Sequence, residues 1–126
     1  MTPFEYAVIR VVPRVERGER VNVGVLLYCQ ARDYLCAKIH VDDARLRALD
    51  PEIDLVGVHT ALEAWETTCN ARQDSEQAGP VQLKPGERFR WLTAPRSTII
   101  QPGPVHTGLT DDPAADLERL LRLLVL

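Results

Sequence analysis

The sequence predicts an α+β fold, with an antiparallel sheet of about four to five strands and two main helices packed on one face. Three observations predict it. Runs rich in β-branched and aromatic residues follow one another through short connections across residues 1–41, the pattern of antiparallel pairing. Apolar residues then recur at three- and four-residue spacing from Leu55 to Cys69, as on one face of a helix. A second stripe at helical spacing, made of leucines, runs from Leu117 to Leu124.

Each element has its own local reason. Phe4 to Val12 is apolar on both alternating faces apart from Glu5 and Arg10, which suits a central strand. Pro13 to Glu19 connects, with turn chemistry at Pro13 and Gly18. Arg20 to Cys29 is the second strand: Val21, Val23, Val25 and Leu27 share one face, and Asn22, Gly24, Leu26 and Tyr28 the other. Glycine weakens a strand interior, so Gly24 implies close approach of another chain segment. Asn22, an amide on a strand that reads as buried, needs a partner and is expected to order the Arg17-Gly18 loop. Gln30 to Asp33 turns the chain, and Tyr34 to Val41 returns as the third strand.

Asp42 is placed to cap a short helix carrying Leu46 and Leu49. Asp50-Pro51, a cap followed by proline at the first helical position, opens a long helix to about residue 72, with Leu55, Val58, Leu62, Trp65 and Cys69 as its stripe. Gly57 costs its first turn about 1 kcal/mol relative to alanine. Residues 73–86 are polar, with Gly79-Pro80 and Pro85-Gly86 as turns, and are expected to form the most mobile loop. Phe89–Leu92 and Ser97–Gln101 read as two short strands. Pro102-Gly-Pro104 then leaves the sheet, because proline cannot donate to a ladder. Asp112 and Pro113 open the C-terminal helix, which buries Leu117, Leu120, Leu121 and Leu124.

Composition narrows the class. A chain of 126 residues, 45% hydrophobic and 26% charged, reads as one globular domain spanning 1–126, able to bury a core without disulfide or metal. No apolar run approaches the ~20 residues of a membrane span, and the first residues lack a signal peptide's basic and apolar regions. Cys29, Cys36 and Cys69 form an odd set without metal spacing. They are expected to be reduced thiols filling space, consistent with the cytoplasm. Net charge is −3, unevenly spread: residues 42–83 carry three basic against nine acidic side chains, residues 84–109 four against one. The loops of the sheet are therefore expected to present a positive surface despite the acidic total.

The chain resembles a bacterial family known as domain of unknown function 3037. The resemblance rests on Tyr6-Ala-Val-Ile-Arg-Val-Val-Pro13, Arg17-Gly-Glu-Arg-Val-Asn-Val-Gly-Val-Leu-Leu27, Glu87-Arg-Phe-Arg-Trp-Leu-Thr-Ala-Pro-Arg-Ser-Thr98 and Pro104-Val-His-Thr-Gly108, and covers nearly the whole chain. The family has no assigned activity. Its members tend to be encoded beside HipA-like kinases, so the resemblance implies a kinase companion or modulator.

The segment Arg88 to Gly108 is the expected working surface. On a strand, Arg88 and Arg90 share a face, and Arg96 follows a proline corner. Guanidinium groups take phosphate or carboxylate bidentately, and Phe89 or Trp91 offers a stacking surface. Arg14, Arg17 and Arg20 join if both loops reach one end of the sheet. The competing account pairs these arginines with acids of the helical layer. The expected binding set is Arg17, Arg20, Arg88, Arg90, Trp91, Arg96, Ser97, Thr98 and His106, facing an anionic ligand or an acidic protein partner, with no cofactor, metal or membrane.

Two rival functions follow from the same residues. His106 with Ser97 or Thr98, oriented by Asp111 or Asp112, has the minimum groups of a small hydrolase or transferase, but no nucleophile-elbow spacing. The other rival is a nucleic-acid-binding protein: the acidic total and the few basic residues count against it, and affinity that drops steeply with added salt would mark it. His40, Asp42 and Asp43 come close in sequence, yet a metal needs a further ligand such as His59. Gly18 and Gly24 form no phosphate-binding loop.

Overall fold

The computed structural model describes residues 1–70, 83–96 and 98–126. Strand β1 (Thr2–Val11) is central. It pairs antiparallel with β2 (Val21–Cys29), which pairs with β3 (Tyr34–Ile39). The short helix α1 (Asp43–Leu49) and the long helix α2 (Leu55–Asn70) follow, then α3 (Pro85–Thr93). Strands β4 (Ile100–Pro102) and β5 (His106–Thr110) both run antiparallel to β1 on its free side. Helix α4 (Pro113–Leu124) closes the described chain. The expected α+β class is borne out, and the antiparallel sheet expected to have about four to five strands has five.

The placement of the helices differs from expectation. Ala7, Ile9 and Val11 of β1 and Ala37 of β3 pack with Leu46, Val58, Leu62, Phe89 and Leu92, under α1, α2 and α3. Phe4 of β1 and Val25, Leu27 and Cys29 of β2 pack instead with Leu117, Leu120 and Val125. Side chains alternate along a strand, so α4 covers the opposite face from α2. The reason is in β1 itself, which is apolar on both faces; such a strand must be covered on both sides.

A β-bulge divides the second strand between the two cores. Ile9 pairs with Gly24 and Arg10 with Asn22, leaving Val23 as the extra residue. Val21 and Val23 therefore face α2 while Val25 and Leu27 face α4, rather than all four sharing one face. At Gly24 a Cβ would sit 2.6 Å from the Ile39 side chain and 2.7 Å from the Lys38 carbonyl, the close approach its position implied.

The caps explain where helices begin. Asp42 accepts from the backbone N–H groups of Ala44 and Arg45, as expected, and Asp112 accepts from Ala115. The long helix, however, begins after Asp54, whose carboxylate accepts from the Gly57 N–H at 3.0 Å; Asp50 and Pro51 belong to the turn before it. A Cβ on Gly57 would collide with that carboxylate. The segment Phe89–Leu92 is helical, not a strand. Pro85 at the helix start and Glu87 in the first turn supply the local signals, and Phe89 and Leu92, three apart, are its buried face. Pro85 and Gly86 are thus helix residues and not a loop turn. Residues 71–82, most of the expected mobile loop, lie outside the described residues.

The free side of β1 is an interrupted strand. Three residues, Gly103 to Val105, lie opposite two, Ala7 and Val8, between the β4 and β5 pairings. Pro102 remains in the sheet at the end of β4, and Gly103 donates to the Val8 carbonyl at 2.7 Å. At the other side, the Asn70 amide accepts from the Ala37 N–H at 2.7 Å and donates to the Ala37 carbonyl at 3.2 Å, fastening the end of α2 to β3.

Candidate functional site

A groove of about 790 Å³ lies between α2 and the chain leading from α3 to β4. Gly57 and Ala61, four apart on α2, are small and leave its floor open; Ile53, Val58 and Trp65 line the same side. Trp91, Arg96, Thr98, Ile99 and Ile100 line the other side, and Val15 reaches in from the β1–β2 connection. Val15, Trp91 and Ile99 are 42%, 47% and 47% exposed, so an apolar rim faces solvent.

Arg96 organises one wall. Its guanidinium lies 4.8 Å from the Trp65 ring centre and 4.7 Å from that of Trp91, held between two indoles. It also donates to the carbonyls of Trp91 at 2.8 Å and Leu92 at 3.3 Å, in the last turn of α3. These carbonyls have no onward helical partner and carry the negative end of the helix dipole, so a cation there is favourable. Burial pulls the Arg96 pKa below its ordinary value. A guanidinium has five N–H donors, and the two backbone bonds leave others for a ligand.

The remaining expected site residues are dispersed. Trp91 and Thr98 join Arg96 at the groove, whereas Ser97 lies outside the described residues. Arg88 is buried, 3% exposed, with Nη1 donating to the Leu83 carbonyl at 3.3 Å. Arg90 projects to solvent and clasps the Glu5 carboxylate through two bonds of 2.8 and 2.7 Å. The helix, rather than a strand, separates these two arginines. Arg17 pairs with Glu19, and Arg14 approaches Asp50 at 3.5 Å. Arg20 borders a separate cavity beside Arg10, Asn22 and Arg45. Asn22 donates to the Leu124 carbonyl at 3.0 Å, securing α4 and not the Arg17-Gly18 loop.

The groups of the rival chemistries are also apart. His106 sits on β5 against Tyr6, ring centres 5.3 Å apart, while Ile100 pairs with Val11. Those β1 positions are about 16 Å apart along an extended chain. Thr98, beyond Ile100, donates its hydroxyl to the Ile100 carbonyl at 2.8 Å. His59 Nε2 meets Asp43 Oδ1 at 2.8 Å, and Asp42 is occupied as a cap. Among the described residues no group of three or more His, Cys, Asp or Glu is placed to hold a metal ion. The three cysteines are free thiols, Cys29 and Cys69 buried. Among the described residues no helix is long and apolar enough to cross a membrane.

Trp65 and Arg10 escaped the sequence reading. Trp65 falls on the core-facing stripe of α2 at helical spacing, although it and Trp91 are the chain's two tryptophans, a pairing that hints at a shared surface. Arg10, an isolated charge in an apolar strand, was the comparable signal for the second cavity.

Fold and groove together define an α+β protein whose antiparallel sheet is covered on both faces and whose surface groove carries an arginine clamped between indoles. The chain belongs to the family described as protein of unknown function (DUF3037), whose model matches residues 6–125, as the sequence resemblance implied. No curated protein and no solved structure matches it.

Proposed function

We propose that this protein is a bacterial, cytoplasmic binding or regulatory module whose working surface is the groove closed by Trp65, Arg96 and Trp91. The partner is a protein segment presenting an apolar side chain beside a carboxylate. The observation that carries this reading is the double stack on Arg96: an immobilised guanidinium with donors to spare, next to an open apolar trough. Preorganisation lowers the ordering cost of binding, and tryptophan and arginine are the residue types that dominate interface energy. An open trough suits a polypeptide better than an engulfed small molecule. The family resemblance names a HipA-like kinase as the partner to test.

Both tryptophans of the chain line the groove, which gives a direct readout. A 5-fluorotryptophan-labelled chain is titrated with a HipA-like kinase from the same source, followed by ¹⁹F NMR and calorimetry. Both fluorine resonances are expected to shift, and Trp91→Ala is expected to weaken binding by about 30-fold, the effect of a hot-spot residue. Binding that moves neither resonance removes the groove from the interface. Absence of binding removes the kinase as partner.

A further inference from the structure

The second cavity, about 410 Å³, lies at the C-terminal end of α4 and is lined by Arg10, Arg20, Val21, Asn22, Arg45 and Leu124. Three guanidinium groups converge there with no carboxylate in the lining. Arg45 is committed in part, with Nη1 donating to the Val125 carbonyl at 3.2 Å and Nε 3.5 Å from Asp42. Arg10 and Arg20 make no ion pair among the described residues, and the Arg10 Nε is buried without a hydrogen-bond partner. A buried donor left unbonded costs about 1–3 kcal/mol, more when charged, so the protein itself leaves this guanidinium incompletely satisfied.

The surroundings fix Arg10 in place. It pairs with Asn22 at the bulge, which turns both side chains toward α4, and its guanidinium lies against Gly103, where a Cβ would come within 3.0 Å of Cζ. Burial first, and Arg20 second, hold the Arg10 pKa below its ordinary value. Two like charges brought together and partly desolvated repel each other, and a shared anion relieves that repulsion. The α4 terminus does not fill that need. Its last carbonyls are taken by Asn22 at Leu124 and by Arg45 at Val125, and neither Arg10 nor Arg20 bonds them.

We infer that this cavity is a phosphate-binding site, in which Arg10 and Arg20 grip the oxyanion and Arg45 completes its charge balance. The site is separate from the groove and does not rest on the partner proposed for it. Planar guanidinium forks match tetrahedral oxyanions, and a cavity of this size admits a small phosphorylated molecule.

The test is calorimetric titration of the intact chain with inorganic phosphate at constant ionic strength, chloride replacing phosphate in the control, with thermal unfolding alongside. Phosphate is expected to bind at one site and raise the unfolding midpoint. Arg20→Ala, an exposed position where folding is not at risk, is expected to weaken phosphate about tenfold, the effect of losing one charged hydrogen bond. Arg10→Lys, which keeps the charge and loses the fork, is expected to weaken it as well. Arg96→Ala is expected to leave phosphate binding unchanged. The inference is overturned if chloride matches phosphate, or if Arg20→Ala binds phosphate as the parent does; in either case the arginines serve only to offset the dipole of α4.

Discussion

At the scale of single residues, geometry assigns tasks that composition alone leaves open. Gly24 is required where β3 runs close to β2, because a Cβ would meet not only the Ile39 side chain but also the Lys38 backbone carbonyl, which cannot rotate away. Gly24→Ala is expected to cost about 1–3 kcal/mol, read as a lower urea midpoint at unchanged slope. Burial, and then the neighbouring Cys36, push the Cys69 thiol up to about 12. Unfolding frees that thiol to ionise near its ordinary 9.0, so above that pH the unfolded chain sheds a proton that the folded chain keeps. Stability is therefore expected to fall between about pH 9 and pH 12, by about 1.4 kcal/mol per unit from this group, and Cys69→Ala is expected to remove that part of the slope in urea titrations. The tight position of Gly24 was legible because a glycine in a strand has few other uses. The packing of Arg96 was not, since its stacking partner Trp65 is 31 residues away in the chain and on another element.

Among the elements, legibility followed how local each signal is. Asp42 and Asp112 cap the helices that begin beside them, and the α2 stripe repeats often enough to fix its period. Phe-Arg-Trp-Leu at 89–92 is too short for that: Phe89 and Trp91 fit a period of two, while Phe89 and Leu92 fit a helical turn. The helix won because Pro85 and Glu87 start it and the buried pair faces the sheet. Strand β5 was invisible for a different reason. Its Gly108 looks like a turn residue, yet it is opposite Phe4, whose ring lies where a Cβ would be, within 2.7 Å. Pairing with β1 is a long-range event that no local pattern announces. The end of α2 supplies a further test. Asn70→Ala leaves the Ala37 backbone without its side-chain partners and is expected to cost about 1–2 kcal/mol, measured by chemical denaturation, with faster amide exchange at Ala37.

For the whole molecule, one sheet carries two cores, and the apolar character of both β1 faces was the sequence's record of that. Ile9 is buried on the α2 side and Leu117 on the α4 side. Ile9→Val is expected to cost about 0.5–1.5 kcal/mol and Leu117→Ala about 2–5 kcal/mol. Because they share no packing partners, their combination is expected to be additive within about 0.5 kcal/mol in equilibrium unfolding, with one transition for both layers. The interrupted strand on the far side of β1 has a consequence for association. Its Gly103-Pro104 break splits the outer ladder into lengths of three and five residues, and Pro104 offers no N–H to a newcomer. At the opposite margin the Asn70 amide already occupies the Ala37 groups that an incoming strand would seek. Fibre growth or donor-strand exchange would thus meet an obstructed template on either flank.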